Sequence, residues 1–241
     1  MTNNVEDTLA QLGAAFAVRD IMVRYEDLQL VDDESEARRF FEEQEDYDYT
    51  ASPKTGRITT YYKRDELKGQ LLRQEDLLSD GTGLLDLLDL LTVRDFFFVL
   101  SANRICGFVH FSDLNDELVK LPLFVLLAAA ERRLWHRVRE GLTEAELEDA
   151  LVPERLEQVL ERFEEAKEQR ADRDLEGLLF FGEILKLAKN RGLLPQVSSD
   201  DRGRLNDIRN RVAHHDRLLI EKHKDVRKLA KIRDLCRELM S

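Results

Sequence analysis

The chain has 241 residues, 36% of them charged, and a formal net charge of −12 at pH 7. Its longest apolar run, Leu121 to Ala130, is about half as long as a membrane-spanning helix must be, so we expect no membrane segment. The two cysteines and the lack of a recognisable secretory signal peptide argue against a disulfide-built fold and favour a cytoplasmic protein.

Helical and strand-like patterns alternate over the first half of the chain. A polar start with a short helix is expected within residues 1–17, and a later helix is expected to begin near Asp65. Between them the sequence predicts an extended piece at Leu28–Val31, an acidic helix at Asp33–Gln44, a strand at Tyr47–Thr50, a turn at Pro53–Gly56 and a second strand at Ile58–Tyr62.

The same order of elements recurs about fifty residues later. The second set is a Leu-rich helix at Gly83–Leu91, a strand at Asp95–Leu100, a turn at Ala102–Arg104, a strand at Ile105–Phe111 and a helix start at Ser112–Leu114. A helix–strand–turn–strand–helix unit repeated in tandem predicts a paired architecture with internal pseudo-symmetry.

Two stretches, VRDIM at 18–22 and FFVLSANRICGFVHFSDL at 97–114, resemble a pair of CBS domains. The resemblance covers roughly residues 16–120 and implies a compact tandem β-α-β module. Such pairs often bind adenine nucleotides (AMP, ADP or ATP) or S-adenosylmethionine, and they usually regulate an attached domain. A pair that serves only as a dimerisation scaffold is the alternative.

The ligand motif of that family is a Gly, two apolar residues, a Thr or Ser, two further residues and an Asp. In the second copy Gly107 and Asp113 match, and His110 replaces the Thr or Ser. In the first copy Asp65 matches the final Asp, and Tyr62 occupies the hydroxyl position. The resemblance therefore implies that these residues bind the nucleotide, with the Asp on the ribose hydroxyls. Asp113 could equally be a plain helix N-cap.

From about Pro122 onward the pattern is wholly helical and predicts five or six helices. Thr143 and Glu146 form a predicted capping box, and a helix over Leu175–Arg191 is expected to end at Gly192. The last helix carries an apolar stripe of Val226, Leu229, Ile232, Cys236 and Leu239.

The segment around Asp207–Arg217 is interpreted as a helix with two different faces. The apolar stripe consists of Leu205, Ile208, Val212 and Leu219; His215 falls within it and is expected to be structural. The opposite face carries Asn210, His214 and Arg217, with Arg209 on its flank. Imidazole can move protons near neutral pH, and a guanidinium can hold a phosphate in its planar fork.

The order Arg209-Asn210-x-x-x-His214 resembles the R-x4–6-H motif of HEPN domains, which are small all-helical modules. In that family the motif marks metal-independent ribonucleases, although some members only bind or dimerise. The resemblance implies that His214 is the general acid or base, that Arg209 stabilises phosphoryl charge and that Asn210 orients either group. A solvated helix face is the alternative. On an ideal helix Arg209 and His214 lie about 140° apart, which favours a site built from two protomers.

The basic residues are concentrated at the C-terminal end. From Lys186 to Ser241 there are 15 Lys and Arg against 8 Asp and Glu, a net charge of +7, while the remaining 185 residues carry −19. A basic region in an acidic chain suits a phosphate-binding site, although exposed helix faces also collect such residues. The histidines lack metal-ligand spacing, so no metal is expected.

Together these patterns predict an α+β protein, with a tandem CBS pair in residues 1–120 and a HEPN-like helical bundle in residues 121–241. The predicted function is a nucleotide-regulated, metal-independent endoribonuclease that acts as a homodimer on RNA. The alternative is a non-catalytic adenine-nucleotide sensor whose helical domain is a docking module. A partner protein for a nucleotidyltransferase is a weaker third interpretation.

Overall fold

The computed structural model describes residues 15–54, 56–168, 178–194 and 196–240. They form a mixed α+β fold, which confirms the predicted fold class at this level. The chain divides into two compact units. The described residues that lie within 15–119 and 220–227 belong to the first, here called the α/β unit, and those within 120–219 and 228–240 belong to the second, the helical unit.

The described strands of the α/β unit form two sheets. The strands are β1 (Val23–Arg24), β2 (Tyr49–Lys54), β3 (Arg57–Lys63), β4 (Gln70–Leu71), β5 (Leu77–Ser79), β6 (Phe96–Ser101) and β7 (Arg104–His110). One sheet has the order β1-β7-β6-β5 and the other the order β2-β3-β4. Short 3₁₀ turns occur at Val18–Asp20, Tyr25–Asp27, Gln74–Asp76 and Phe111–Asn115.

The helix–strand–turn–strand part of the predicted repeat is present in the backbone topology, whereas the closing helix of the first copy is not. In the second copy β5 lies parallel to β6, helix α2 (Leu84–Leu91) connects them, and β6 pairs antiparallel with β7. In the first copy Leu30 bridges Ala51 of β2 in parallel, helix α1 (Glu34–Glu43) connects them, and β2 pairs antiparallel with β3. Each copy is thus a parallel β–α–β connection followed by a hairpin.

Aromatic rings hold the two hairpins together. Tyr61 of β3 and Phe96 and Phe98 of β6 are buried in one apolar cluster, and the centroids of Tyr61 and Phe96 are 5.1 Å apart in an edge-on arrangement. Edge-on pairs of this kind add about 0.5–1.5 kcal/mol to the gain from burying the rings.

The helix expected near Asp65 is absent, and this prediction is wrong. Asp65 lies in a turn, and Leu67 has a positive φ of 50°. The guanidinium of Arg64 donates to the backbone carbonyls of Phe41, Gln44 and Tyr47, which fixes the chain in a turn at the end of β3. The short helix expected within residues 1–17 lies almost entirely outside the described residues.

The helical unit contains most of α3 (Glu117–Arg139), α4 (Glu144–Ala150), α5 (Pro153–Glu168), α6 (Phe181–Asn190), α7 (Ser199–Ala213) and most of α8 (Lys224–Met240). The apolar stripe predicted for the last of these helices is buried. Helix α3 also buries an apolar stripe with Trp135 beside it, namely Leu123, Leu126, Leu127, Ala130, Leu134 and Val138. The helix predicted over Leu175–Arg191 is shorter in the described residues, where it begins at Phe181; Gly192 follows with φ 69°, as a helix-ending glycine should. Its first predicted residues lie outside the description.

None of the helices in the described ranges combines the length and the apolar character that a membrane crossing needs.

Residues 220–227 complete the α/β unit. The side-chain amide of Asn115 donates to the carbonyl of Ile220 and accepts from its N–H, both at 2.9 Å. The Nε2 atom of His223 lies 2.6 Å from the carbonyl oxygen of Leu91. The Asn115 contact joins residues 105 positions apart, so no local pattern could indicate it.

Arg191 ties three parts of the helical unit together. Its guanidinium donates to both carboxylate oxygens of Glu146 at 2.7 Å and to the carbonyls of Val138, Glu140 and Gly141. Glu146 also accepts from the N–H and hydroxyl of Thr143, which confirms the predicted capping box at the start of α4. This one side chain therefore fixes the connection between α3 and α4.

We expect Glu146→Gln to destabilise the helical unit at pH 7, because the ionic hydrogen bonds from Arg191 are lost. Hydrogen bonding to Arg191 lowers the pKa of Glu146 from 4.5 to about 2, so this stabilisation is complete above pH 4.5 and disappears as the pH falls towards 2. Urea unfolding followed by the fluorescence of Trp135, the only tryptophan, should show a stability gap that closes with acid. Exposed Glu148→Gln is the control; an equal or pH-independent gap contradicts the account.

Candidate functional site

Helix α7 presents one face to the core and the other outward. Ser198 accepts from the N–H of Asp201 and so caps the start of the helix. The apolar stripe predicted for this segment is buried, namely Leu205, Ile208, Val212 and Leu219. Because the stripe fixes the rotation of the helix, the half-buried Asn206, Arg209 and Asn210 lie on its remaining surface.

Arg209 and Asn210 line a pocket of about 410 Å³. Asn206, one turn before Asn210, lines the same pocket, and the rest of the wall is the start of α6 with the residue before it. The complete lining is Phe180, Phe181, Gly182, Glu183, Asn206, Arg209 and Asn210. The volume falls in the range typical of small-molecule sites, about 300–1,000 Å³.

The polar groups of this pocket are accessible. The Nε atom of Arg209 lies 3.8 Å from a carboxylate oxygen of Glu131, beyond hydrogen-bond distance, and the Arg209 side chain is 40% exposed. The side-chain amides of Asn206 and Asn210 make no hydrogen bond to the described residues. One cation and two amides can therefore contact a polar ligand without breaking a structural hydrogen bond.

His214 lies at the C-cap of α7, and the helix ends at Ala213. The backbone of His214 is extended, with φ −119° and ψ 121°, and its residue surface is exposed. The buried amine of Lys120 donates to the carbonyls of His214 (3.2 Å) and His215 (3.0 Å). Both carbonyls lie just beyond the last helical residue, where a cation interacts favourably with the negative end of the helix dipole.

Two expectations for this segment are therefore corrected. The helix does not continue through Arg217, so the ideal-helix angle between Arg209 and His214 does not apply. His215 is exposed and does not belong to the apolar stripe, because the chain has left the helix before reaching it. Of the three predicted catalytic residues, Arg209 and Asn210 share one pocket and His214 is not part of its wall.

The α/β unit places Asp113 in the turn that follows β7. Its carboxylate accepts from the N–H of His110 at 2.7 Å, so it caps the 3₁₀ turn Phe111–Asn115. Burial raises the pKa of Asp113 from 3.8 to about 6, because few water molecules solvate the charge. The carboxylate is thus poorly solvated and accepts one hydrogen bond among the described residues, so further donors would stabilise its charge.

His110 is half-buried beside aromatic rings. Its Nδ1 atom lies 2.8 Å from the hydroxyl of Ser112, and its ring lies 4.2 Å from Phe111 and 5.8 Å from Tyr49, between centroids. Burial lowers the pKa of His110, and the charge of Asp95 partly opposes that effect. Tyr49 donates to the carboxylate of Asp95, so the Tyr49 hydroxyl is already engaged.

The surroundings of two further residues differ from those that the CBS-like ligand motif implied, namely Gly107 and Asp65. A Cβ at Gly107 would lie 2.6 Å from the carbonyl oxygen of Val23, so glycine is required for β1 to pair with β7. Asp65 is exposed in the turn after β3. The two aspartates therefore have different environments: Asp113 is partly buried, whereas Asp65 is exposed. Of the two, Asp113 is the stronger candidate for contact with a ligand.

Sequence reasoning missed Asn206, Phe180 and Lys120. Asn206 could have been found, because it precedes Asn210 by four residues and so lies on the same helix face. Phe180 and Lys120 reach α7 only through tertiary packing, and Lys120 is 94 positions from His214.

Comparison with known proteins finds no family model, no curated protein and no solved structure that matches the chain. The function must therefore be inferred from the residues of this chain. Among the described residues, no group of three or more His, Cys, Asp or Glu side chains could hold a metal ion.

We expect Asp113→Asn to stabilise the α/β unit at pH 7.5 by on the order of 2 kcal/mol, since the penalty for a buried charge is removed. The raised pKa means that the native protein pays this penalty fully above pH 6 and hardly at all below pH 3.8, so the gain should shrink as the pH falls. Thermal unfolding followed by circular dichroism between pH 4 and 7.5 measures it. Asp65→Asn, at an exposed residue in the turn after β3, is the control; a less stable Asp113→Asn protein at pH 7.5 contradicts the account.

Proposed function

We propose that the chain is a metal-independent endoribonuclease of the HEPN type, regulated by an adenine nucleotide at a CBS-like pair of repeats. One observation carries the proposal: Arg209 and Asn210 face a common pocket, and His214 stands exposed at the end of the same helix. The helix thereby holds the phosphate-binding fork, and the residue that directly follows its last turn supplies the proton-transfer group.

The chemistry is cleavage of RNA by its own 2′-hydroxyl. An imidazole takes the proton of the 2′-hydroxyl while the 2′-oxygen bonds to phosphorus and the bond from phosphorus to the 5′-oxygen breaks. The 5′-oxygen leaves with a proton from a second general acid, giving a 2′,3′-cyclic phosphate and a 5′-hydroxyl. Arg209 stabilises the charge on the phosphoryl oxygens, and Asn210 orients the phosphate or the imidazole.

The complete site requires two copies of the chain. His214 is not part of the pocket that Arg209 and Asn210 line, so the His214 of a second protomer supplies the proton-transfer group at that pocket. The basic C-terminal region, with a net charge of +7, attracts the polyanionic substrate.

We expect His214→Ala and Arg209→Ala each to reduce cleavage of RNA, in buffer with EDTA, by at least about a hundredfold, which is the usual contribution of a general acid or base. Both side chains are partly or fully exposed, so the variants should have the same melting temperature as the native protein. The matched controls are His215→Ala, its exposed neighbour, and Arg133→Ala, an exposed arginine of α3. The proposal is contradicted if a control loses as much cleavage activity as the variant it is matched to, or if either His214→Ala or Arg209→Ala cleaves RNA at the native rate.

The regulatory part rests on the two β–α–β–hairpin copies and on Asp113. The ribose hydroxyls of a nucleotide are donors that would relieve its desolvated carboxylate. His110, in the position that the family motif gives to Thr or Ser, lies next to it in the same turn.

We expect AMP, ADP or ATP at millimolar concentration to raise the melting temperature of the native protein, because a ligand that binds only the folded state stabilises it. Asp113→Ala should abolish the shift, whereas Asp65→Ala, in the exposed turn, should retain it. No shift with any of the three nucleotides contradicts the regulatory proposal and leaves the ribonuclease proposal intact.

The non-catalytic sensor is the second candidate. The unfavourable burial of the Asp113 carboxylate favours it, because a residue that costs stability in the free protein is typical of a ligand site. A nucleotide shift without cleavage of any RNA would decide for the sensor.

A further inference from the structure

Phe180 is an exposed aromatic residue at a helix start, where an aromatic side chain gives no capping hydrogen bond. It is the N-cap of α6, where its side chain makes no capping hydrogen bond, and 67% of its surface is exposed. Serine, threonine, asparagine or aspartate would stabilise the helix better at this position, by about 1 kcal/mol. A ring that costs stability and faces a pocket suggests a binding role.

The ring of Phe180 makes a cation–π contact with Arg155. The guanidinium carbon of Arg155 lies 4.3 Å from the ring centroid. Arg155 is itself held by Glu183 through two hydrogen bonds of 2.9 and 3.2 Å and by the carbonyl of Leu178. The ring therefore has a stacked partner on one side while remaining part of the pocket wall.

Two side-chain amides lie across the same pocket. Asn206 and Asn210 are four residues apart on α7, so their side chains are neighbours on one helix face. Asn206 packs directly on the start of α6: a Cβ at Gly182 would lie 3.3 Å from its Oδ1 atom. Neither amide is used by a hydrogen bond to the described residues.

An aromatic face, paired amide groups and an adjoining guanidinium match the parts of a nucleotide. Bases stack on aromatic rings irrespective of their identity. Asparagine amides present a donor and an acceptor side by side, which suits the polar edge of a base, and arginine suits the phosphate.

We propose that this pocket is a nucleobase subsite, in which an unpaired base of single-stranded RNA stacks on Phe180 and bonds to Asn206 and Asn210. Arg209 holds the phosphate attached to that nucleotide. This inference rests on the proposed function in that it takes RNA as the ligand, and it narrows the substrate to RNA with a base free to leave its stack. A base paired in an A-form helix cannot present its face to Phe180, so duplex RNA is a poor ligand.

The test measures binding separately from cleavage. The His214→Ala protein is titrated, in EDTA, with a fluorescently labelled single-stranded RNA and with a blunt-ended duplex of the same strand and its complement, and anisotropy gives both dissociation constants. Adding Phe180→Ala should weaken binding of the single strand by about 5- to 100-fold, as expected for one lost stacking contact, and leave the weak duplex binding unchanged.

Two further variants distinguish stacking from general effects. Phe180→Tyr keeps a ring and should bind within about twofold of the parent protein, since stacking needs only the aromatic face. Phe124→Ala removes an exposed ring from α3, where no base is expected, and should have no effect. Equal binding of Phe180→Ala and its parent, equal loss in Phe124→Ala, or equal affinity for the single strand and the blunt-ended duplex overturns the subsite.

Failure of the subsite and failure of the ribonuclease proposal give different results. If the native protein cleaves RNA in a manner that depends on Arg209 and His214, but Phe180→Ala binds and cleaves normally, the subsite is wrong and the enzyme remains. If no RNA is cleaved but binding of single-stranded RNA depends on Phe180 and Asn210, the subsite is supported and catalysis is wrong. The melting temperature of each variant shows whether its folding is affected. If Phe180→Ala lowers the melting temperature through loss of the Arg155 contact but leaves RNA binding unchanged, the subsite is wrong.

Discussion

The candidate site depends on the burial of one apolar stripe on α7. Leu205, Ile208 and Val212 are almost completely removed from solvent, and a buried aliphatic side chain contributes about 1.5–3 kcal/mol. Rotating the helix would expose all three, so its outer face cannot turn away from the pocket. Further contacts fix its two ends: Lys231 binds the carboxylate of Asp201 near the start, and Lys120 binds the carbonyls that follow the end.

Periodicity was sufficient to predict the described helices of the helical unit but not where α7 ends. The apolar stripe and the sequence of helices follow from spacing, and Arg209 and Asn210 could be placed on the outer face from the sequence alone. Nothing in the local sequence marks Ala213 as the last helical residue, because no glycine or proline follows it. The end coincides with a contact to Lys120, 94 positions away, which a one-dimensional pattern does not contain.

The α/β unit shows the same limit at Asp65 and Gly107. The repeat of a helix and a hairpin could be recognised from the order of elements, whereas the helix expected at Asp65 is replaced by a turn that Arg64 holds through three backbone carbonyls. Gly107 fits a ligand motif by sequence, but its missing side chain makes room for strand β1. The carboxylate of Asp113 is desolvated and accepts one hydrogen bond among the described residues, which its place in the motif alone does not indicate.

The central claim is that the outer face of α7 directs cleavage of RNA by the RNA's own 2′-hydroxyl, and the ends of the product strands test it most directly. Purified full-length protein is incubated with a single-stranded RNA in excess EDTA, and the new termini are identified by mass spectrometry. The account predicts 2′,3′-cyclic phosphate and 5′-hydroxyl ends, and no cleavage where a 2′-deoxynucleotide replaces the attacking ribose. Products with 3′-hydroxyl and 5′-phosphate ends, or an intact RNA, would contradict it.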